Sequence, residues 1–510
     1  MHNRQHIWPR IAFGALLAFL IPQRLWCAPT VQLLDDAFGT WNATLGRAIF
    51  LDLLPGEAEL PFIVAWLIFG SIFLTLRYGF INLRMLRHAF YVLIGRYRTR
   101  SDQGEVSSFQ ALSTALAATV GLGNIAGVAI AITMGGPGAT FWMIVAGFLG
   151  MSTKFTEATL AQMYRTVRPD GRLMGGAMEY LSRGLAEKGW ARTGRFLAGL
   201  FAVFTVLGAL GAGSGFQVSQ SLGAVKSAIP FFDRYPIGYG LLVALLGGAV
   251  IIGGLRRIAW TAEKLVPAMI VLYMLSSWFV ILSHADMIGP TFQRIVTSAF
   301  TAEAAVGGVL GAIVQGFKRA AFSSEAGLGS AAIVHSTAAV KYPVRQGMVA
   351  LYEPFIDTVI ICTTTALVLL ISGMYDDPDL AVLRDNREGA ALTAAAFAAA
   401  GPLFANVFTL SVFLFAFSTM LSWFYYGERC WVYLFGERRA LIYKIAFLFF
   451  IVAASVTSAK NILEFTDLLV LAMSFPNVLG LYLLSGKVKN ALNEYIAKLR
   501  AGIFDREAQR

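Results

Sequence analysis

Two short runs in this chain could hold a small ligand inside otherwise apolar sequence: Thr119-Val120-Gly121-Leu122-Gly123-Asn124, and Ser323-Ser324-Glu325-Ala326-Gly327-Leu328-Gly329-Ser330. The first lies in an apolar stretch from about 109 to 134, the second in one from about 306 to 334. Glycine adopts backbone conformations that other residues resist, so both runs can open a helix. A helix opened in hydrocarbon leaves N–H and C=O groups bare, which is tolerated only where something reclaims them. The half-helix end beside Gly121 and Gly123 would offer free N–H groups and a dipole to a carboxylate, worth about 0.3–2 kcal/mol. Thr119 and Asn124 add side-chain dipoles. Carbonyls freed between Phe322 and Gly327 would accept from an ammonium group. The plainer alternative for Gly123 to Gly127 is a small-residue packing face, since these glycines form a GxxxG.

Charges also fall within apolar stretches, where each costs about 2.5–3.5 kcal/mol or more. Lys318, Arg319, Glu325, Glu353 and Asp357 are of this kind. Lys318 and Arg319 are expected to pair with the carboxylates as a gate, with Glu325 holding the break open; the alternative sets both cations nearer an interface.

The elements that must position these groups are membrane helices. The chain has 510 residues, 57% of them hydrophobic and only 14% charged, with a mean hydropathy of +0.65. Apolar stretches of about 20 residues recur, as in a polytopic membrane protein. The sequence predicts an all-α fold of about eleven transmembrane helices, at 61–80, 108–134, 137–163, 196–225, 236–254, 259–283, 306–335, 346–372, 403–427, 440–458 and 462–484. After the peripheral helix 61–80 come two sets of five, 108–283 and 306–485, each opened by a broken helix. Five is odd, so the sets must run in opposite orientations, as in an inverted repeat.

The net charge of +11 could point to nucleic acid, but its distribution points to topology instead. Alternate loops carry about 27 Lys or Arg on one side and about 7 on the other. The basic side is expected to be cytoplasmic. The tail 486–510 then lies inside and the segment 29–60, with a short surface helix near Asp35 and Trp41, lies outside. Residues 1–28 supply the translocation signal that an outside start requires: basic residues, an apolar core of about 11 residues, then Pro22. A bacterial inner (plasma) membrane is the expected location, with the chain acting as a monomer among lipids. The basic stretch 165–195 is expected to hold an amphipathic interfacial helix near 178–187. The external stretch 374–401 is expected to be a solvated connector, with a gate-covering loop as the alternative.

Cys27, Cys362 and Cys430 form no disulfide framework or metal spacing. There is no P-loop and no HExxH, and the five histidines are scattered. An enzyme is therefore not expected.

Three segments resemble one family. Ala115 to Gly127 followed by Gly135-Gly-Pro-Gly-Ala139 closely resembles the first core helix of the alanine/glycine:cation symporters, also called sodium:alanine symporters. Gly316 to Ser330 resembles their broken sixth core helix, and Phe417 to Glu428 their eighth. The likeness runs from about 61 to 485 and extends to the wider amino acid–polyamine–cation superfamily. It implies the five-plus-five inverted repeat and sodium-coupled uptake of alanine or glycine by alternating access. Carried over, it implies that Phe322 and Trp423 wall the pocket and that Gln217 hydrogen-bonds the ligand. It also implies a sodium ion held by the carbonyls of Ala117 and Val120 and the hydroxyls of Ser418 and Thr419. The ordinary alternative for such hydroxyls is a bond back to their own helix. The family usually has Asn at Ser324, often Met at Leu328, Pro at Ala332 and Gly at Ser422, which bears on specificity among small amino acids. Two rivals to sodium symport are a proton-coupled carrier using Glu325 or Asp357, and a nutrient receptor that does not transport.

Overall fold

The computed structural model describes residues 28–53, 60–99, 102–168, 171–301 and 308–508. The predicted leader, Ala28 apart, lies outside them. The architecture is helical, with one small hairpin of Thr166–Val167 against Leu173–Met174.

Phe62–Arg77 is the peripheral helix. The first repeat comprises Ser108–Thr119 with Ala126–Gly135, then Gly138–Tyr164, Ala191–Ala228, Pro236–Ile251 and Gly254–Leu282. The second comprises Gly308–Ser324 with Ala332–His335, then Pro343–Ile371, Pro402–Phe435, Ala440–Ala454 and Ala459–Arg500. Both expected breaks are present, each opening a set of five.

Local chemistry explains where these helices start and bend. Ser107 and Gln110 make a reciprocal capping box at the start of the first broken helix, with Gln110 N–H on Ser107 Oγ at 3.1 Å and Ser107 N–H on Gln110 Oε1 at 3.0 Å. Two long helices each carry a wide π-type turn, at Gly211–Gly215 and Phe355–Cys362. Such turns frequently mark functional sites because they re-aim side chains and release a carbonyl. The first sits just before Gln217 and the second contains Asp357.

Three connecting segments differ from expectation. Residues 177–184 form a helical turn and a wide turn with Met178, Tyr180 and Leu181 fully buried, so this segment packs into the protein instead of lying on an interface. The 374–401 stretch ends in a helix, Gly389–Ala399, that is buried over most of its length. Gly389 lies directly on the Ala126 backbone, where any side chain would overlap it. Small residues let this helix sit on Ala126–Gly135, the second half of the first broken helix, which removes the solvated-connector reading. Ahead of the peripheral helix lies a 22-residue helix, Ala28–Ile49, longer than the expected short one. It docks on the last helix through Asn42 Nδ2 to Asn461 O at 2.8 Å and Asn461 Nδ2 to Asp35 O at 2.9 Å.

Candidate functional site at two facing helix breaks

The first broken helix stops at Thr119, and Val120 turns the chain away with ψ of 78°. Gly121 N–H, which a continuous helix would give to Ala117, goes to Thr119 O at 2.9 Å and to Asn124 Oδ1 at 3.0 Å. Leu122 N–H, which would serve Ala118, goes to Gln217 Oε1 at 3.1 Å. The Ala117 and Ala118 carbonyls are thereby released from the helix ladder. Gly123 N–H meets no acceptor among the described residues. Gln217 is aimed by its own amide, which donates to Ala212 O at 2.9 Å inside the wide turn.

The released Ala117 carbonyl is where three oxygens converge. Thr419 Oγ1 donates to it at 3.0 Å; Ser418 Oγ lies 3.5 Å from it and bonds back to its own helix at Phe415 O, 3.0 Å away. Gly121 leaves room for Thr419 Oγ1, which a Cβ at 121 would overlap. Val120 is buried beside them, its carbonyl swung off the helix axis, but no hydrogen bond joins it to the set. Neutral hard oxygens of this kind replace the hydration shell of an alkali cation, so the donor set fits sodium chemically.

The second break is held differently. Glu325, Gly327 and Gly329 take φ of 56°, 92° and 81°. Two of these are glycine, which suffers no Cβ penalty there. Glu157, on the Gly138–Tyr164 helix, accepts on one oxygen from Gly327 N–H at 3.0 Å, Gly329 N–H at 3.1 Å and Asn477 Nδ2 at 2.7 Å. Asn477 also donates to Gly327 O at 2.8 Å, and Tyr180 donates to Asn477. Glu325 accepts from Ser330.

The two breaks touch. A Cβ at Gly123 would lie 3.1 Å from the Phe322 ring and 3.4 Å from Ser323 Cα. Asp357 joins them through its carboxylate, which accepts from Asn124 Nδ2 at 2.6 Å, Ser323 Oγ at 2.6 Å and Thr358 Oγ1 at 2.8 Å. Cys362 sits against the same Asn124 and Ser323. Phe322 also meets Phe216 edge to face at 5.0 Å. All these side chains are buried.

The expected residues therefore divide. Gly121, Gly123, Asn124, Gln217 and Phe322 meet at the junction, and Ala117, Ser418 and Thr419 form the oxygen cluster beside it. Four expectations need correction. Thr119 turns its hydroxyl back to Ala115 O at 3.3 Å, so it offers the break no dipole. Gly327 has both backbone groups engaged by Glu157 and Asn477, which makes it part of the brace and not a free acceptor. Trp423 packs on Gly213 and Tyr426, and no hydrogen bond or ring contact joins it to either break among the described residues. Lys318 and Arg319 do not pair with Glu325, Glu353 or Asp357; both bind Asp467 on the last helix, Lys318 at 2.9 Å.

Several residues escaped the sequence reading. Lys154 and Glu157 sit within an apolar helix, and the rule that singled out Lys318 and Glu353 applies to them equally. Lys154 pairs with Glu353 at 3.0 Å, and Glu353 also binds His335. Asn477 and Cys362 carried no such signal, because a neutral polar residue in a long helix is usually a packing contact. Ser324 and Ser422, the departures nearest the junction, bond to Ala320 O at 2.8 Å and Thr114 O at 2.9 Å. Neither hydroxyl projects freely.

Comparison with known proteins bears on the family and the fold. The model of the sodium:alanine symporter family matches residues 51–509. The "Sodium/alanine symporter AgcS" of Methanococcus maripaludis is 41% identical over 429 residues, covering 84% of this chain and 92% of that one. The "Probable sodium/glutamine symporter GlnT" of Bacillus subtilis is 35% identical over 474 residues, covering 92% of each. Among solved structures, MhsT in complex with L-phenylalanine superposes with a TM-score of 0.51 at 15% identity, covering 75% of this chain and 89% of MhsT. A Na+-coupled sialic acid symporter gives 0.50 at 14%, covering 78% and 82%. Those two establish the shared transporter fold. The chain belongs to the sodium:alanine symporter family, and it is a cation-coupled amino-acid symporter embedded in a membrane.

Proposed function

We propose that the chain couples inward sodium flow to the uptake of a small neutral amino acid, alanine or glycine, by alternating access. The carrying observation is the contact of Gly123 with Phe322 and Ser323, at a glycine whose N–H meets no acceptor among the described residues. In this reading the ligand carboxylate sits at Gly123 N–H beside Asn124, with Gln217 positioning the loop. The ammonium group lies toward the last carbonyls of Gly308–Ser324. Phe322 leaves space only for a short side chain. Sodium takes the Ala117 carbonyl with Ser418 and Thr419, and the Val120 carbonyl turns in to complete the shell. The two repeats, 108–283 and 306–485, rock about this centre. Lys318 and Arg319 with Asp467 form the outer gate, since Arg319 lies over the Phe322 ring at 5.5 Å. The charged loops face the cytoplasm of a bacterial cell, and one copy of the chain suffices.

The name of the methanogen relative supports alanine, whereas the Bacillus relative's name extends to glutamine. The test is uptake into proteoliposomes, with glycine, L-alanine, D-alanine, serine and glutamine as competitors and lithium or potassium replacing sodium. Strongest competition by glutamine would remove the small-side-chain reading. Equal uptake without sodium at constant pH would remove the coupling. A second reading, proton coupling, is favoured by the buried carboxylates at the breaks, Asp357 and Glu325. It predicts uptake driven by a pH gradient alone.

A further inference from the structure

On one face of the molecule two segments run side by side. Residues 102–107 lead into the first broken helix, and residues 336–339 leave the second. Val106 and Ala338 form a parallel bridge. Glu105 N–H donates to Thr337 O at 2.8 Å and Ala339 N–H to Val106 O at 2.8 Å. Gly104 lies so close to the 338–339 backbone that a Cβ there would come within 2.6 Å of the Ala338 carbonyl carbon. These are the ends of the two half-helices on the face that the proposed function makes cytoplasmic. A ligand leaving the junction toward that face must part them.

Arg165 ties them together. It ends the Gly138–Tyr164 helix, and its guanidinium reaches both segments. One nitrogen donates to Ser336 O at 3.1 Å and Ala338 O at 2.8 Å; the other donates to Gln103 O at 2.8 Å. Gln162, three residues earlier, donates to His335 O at 2.5 Å and Ala338 O at 3.1 Å. Carbonyls carry no net charge, so these bonds hold the segments without a buried ion pair that would have to be broken. Arginine suits the task because its planar fork presents several fixed donors, whereas a lysine ammonium is a single flexible point. The 102–107 segment also has space behind it. A cavity of about 230 Å³ lies there, bounded by Tyr97, Asp102, Ser107, Ala339 and Arg345.

We infer that Arg165 is the latch of the inner gate: the pore opens to the cytoplasm when its guanidinium releases Gln103 or the Ser336–Ala338 carbonyls and the 102–107 segment withdraws. Arg165 touches neither ligand nor cation, so it is a positioning residue. Only the assignment of the inner face rests on the proposed function, and gate opening can be read without identifying the substrate.

Cys362 is a native reporter, buried at the junction against Asn124 and Ser323. In the full chain carrying Cys27→Ser and Cys430→Ser, reconstituted in liposomes, an impermeant maleimide is applied to one face at a time. Arg165→Ala is expected to raise Cys362 labelling from the inner face about tenfold and leave outer-face labelling unchanged. Arg165→Lys should fall between Arg165→Ala and the parent. Parent-level labelling from the inner face in Arg165→Ala would overturn the inference. Should Arg165→Ala fail to fold, a second variant carries the same weight. Val106→Cys with Ala338→Cys, oxidised to a disulfide, should lose amino-acid uptake and regain it on reduction. Full uptake while cross-linked would equally overturn it. Failure of the sodium or alanine assignments would leave the labelling result unaffected.

Discussion

The two breaks do the same thing to a helix by opposite means. At the first, the Asn124 and Gln217 amides take the loosened N–H groups, the Asp357 carboxylate holds Asn124 in turn, and the Ala117 carbonyl passes from the helix ladder to Thr419. The second is braced by a carboxylate, with Glu157 gathering two backbone N–H groups and Asn477. Hydrogen bonds to charged groups contribute about 1.5–3 kcal/mol, roughly twice neutral ones. The second break is therefore the more firmly held at its backbone N–H groups, although one buried oxygen each of Glu157 and Glu325 has no hydrogen-bond partner among the described residues. The first keeps unsatisfied groups, which is the state in which a ligand can add binding energy. Under the proposed function, the N–H left unmatched at Gly123 marks the first break as the ligand's, and the cluster around Glu157 makes the second the brace.

That contrast can be broken at several points. The largest effect is expected for Gly123→Leu, whose side chain would enter the space of the Phe322 ring; amino-acid uptake should be lost while the protein still inserts, as read by membrane yield. Retained uptake would refute the junction as the site. Glu157→Ala should act on stability instead, lowering it by about 3 kcal/mol or more because it strips the acceptor from three buried donors. A thermal unfolding scan in detergent checks this, and an unchanged midpoint with weakened ligand binding would invert the roles of the two breaks. Thr419→Val should weaken sodium activation about tenfold, near 1.4 kcal/mol, with a smaller change in amino-acid affinity. Gln217→Ala should raise the amino-acid concentration needed for half-maximal uptake by about three- to tenfold, consistent with a membrane hydrogen bond of about 0.6–2 kcal/mol, and leave the steepness of sodium activation unchanged. Thr119→Val should change uptake less than twofold, since its hydroxyl already bonds its own helix; a larger loss would show that the hydroxyl turns inward during transport.

Much of this was legible from residues near one another in the chain. Gly121, Gly123, Gly327 and Gly329 announced the breaks because glycine and apolar length act locally. Eleven spans followed from hydropathy, and their two sets of five from where the glycine breaks fall among them. The gate pairing was misjudged for a physical reason: Lys318 and Arg319 lie close in sequence to Glu325, but helix geometry turns them toward Asp467, 148 residues from Arg319. The brace was missed because Glu157 and Asn477 belong to helices without breaks. The Gly389–Ala399 helix was read as a connector because alanine-rich sequence outside a span carries no signal of what it will cover.

Hydropathy, glycine placement and charge asymmetry along the chain were enough to establish a helical membrane protein with two interrupted spans, because those properties act over one or two helical turns. Which oxygens converge on Ala117, which carboxylate serves which break and where Trp423 points depended on helices packed from distant parts of the chain. A buried polar group takes whatever donor or acceptor folding brings within about 3 Å, and that distance is set in space and not along the sequence.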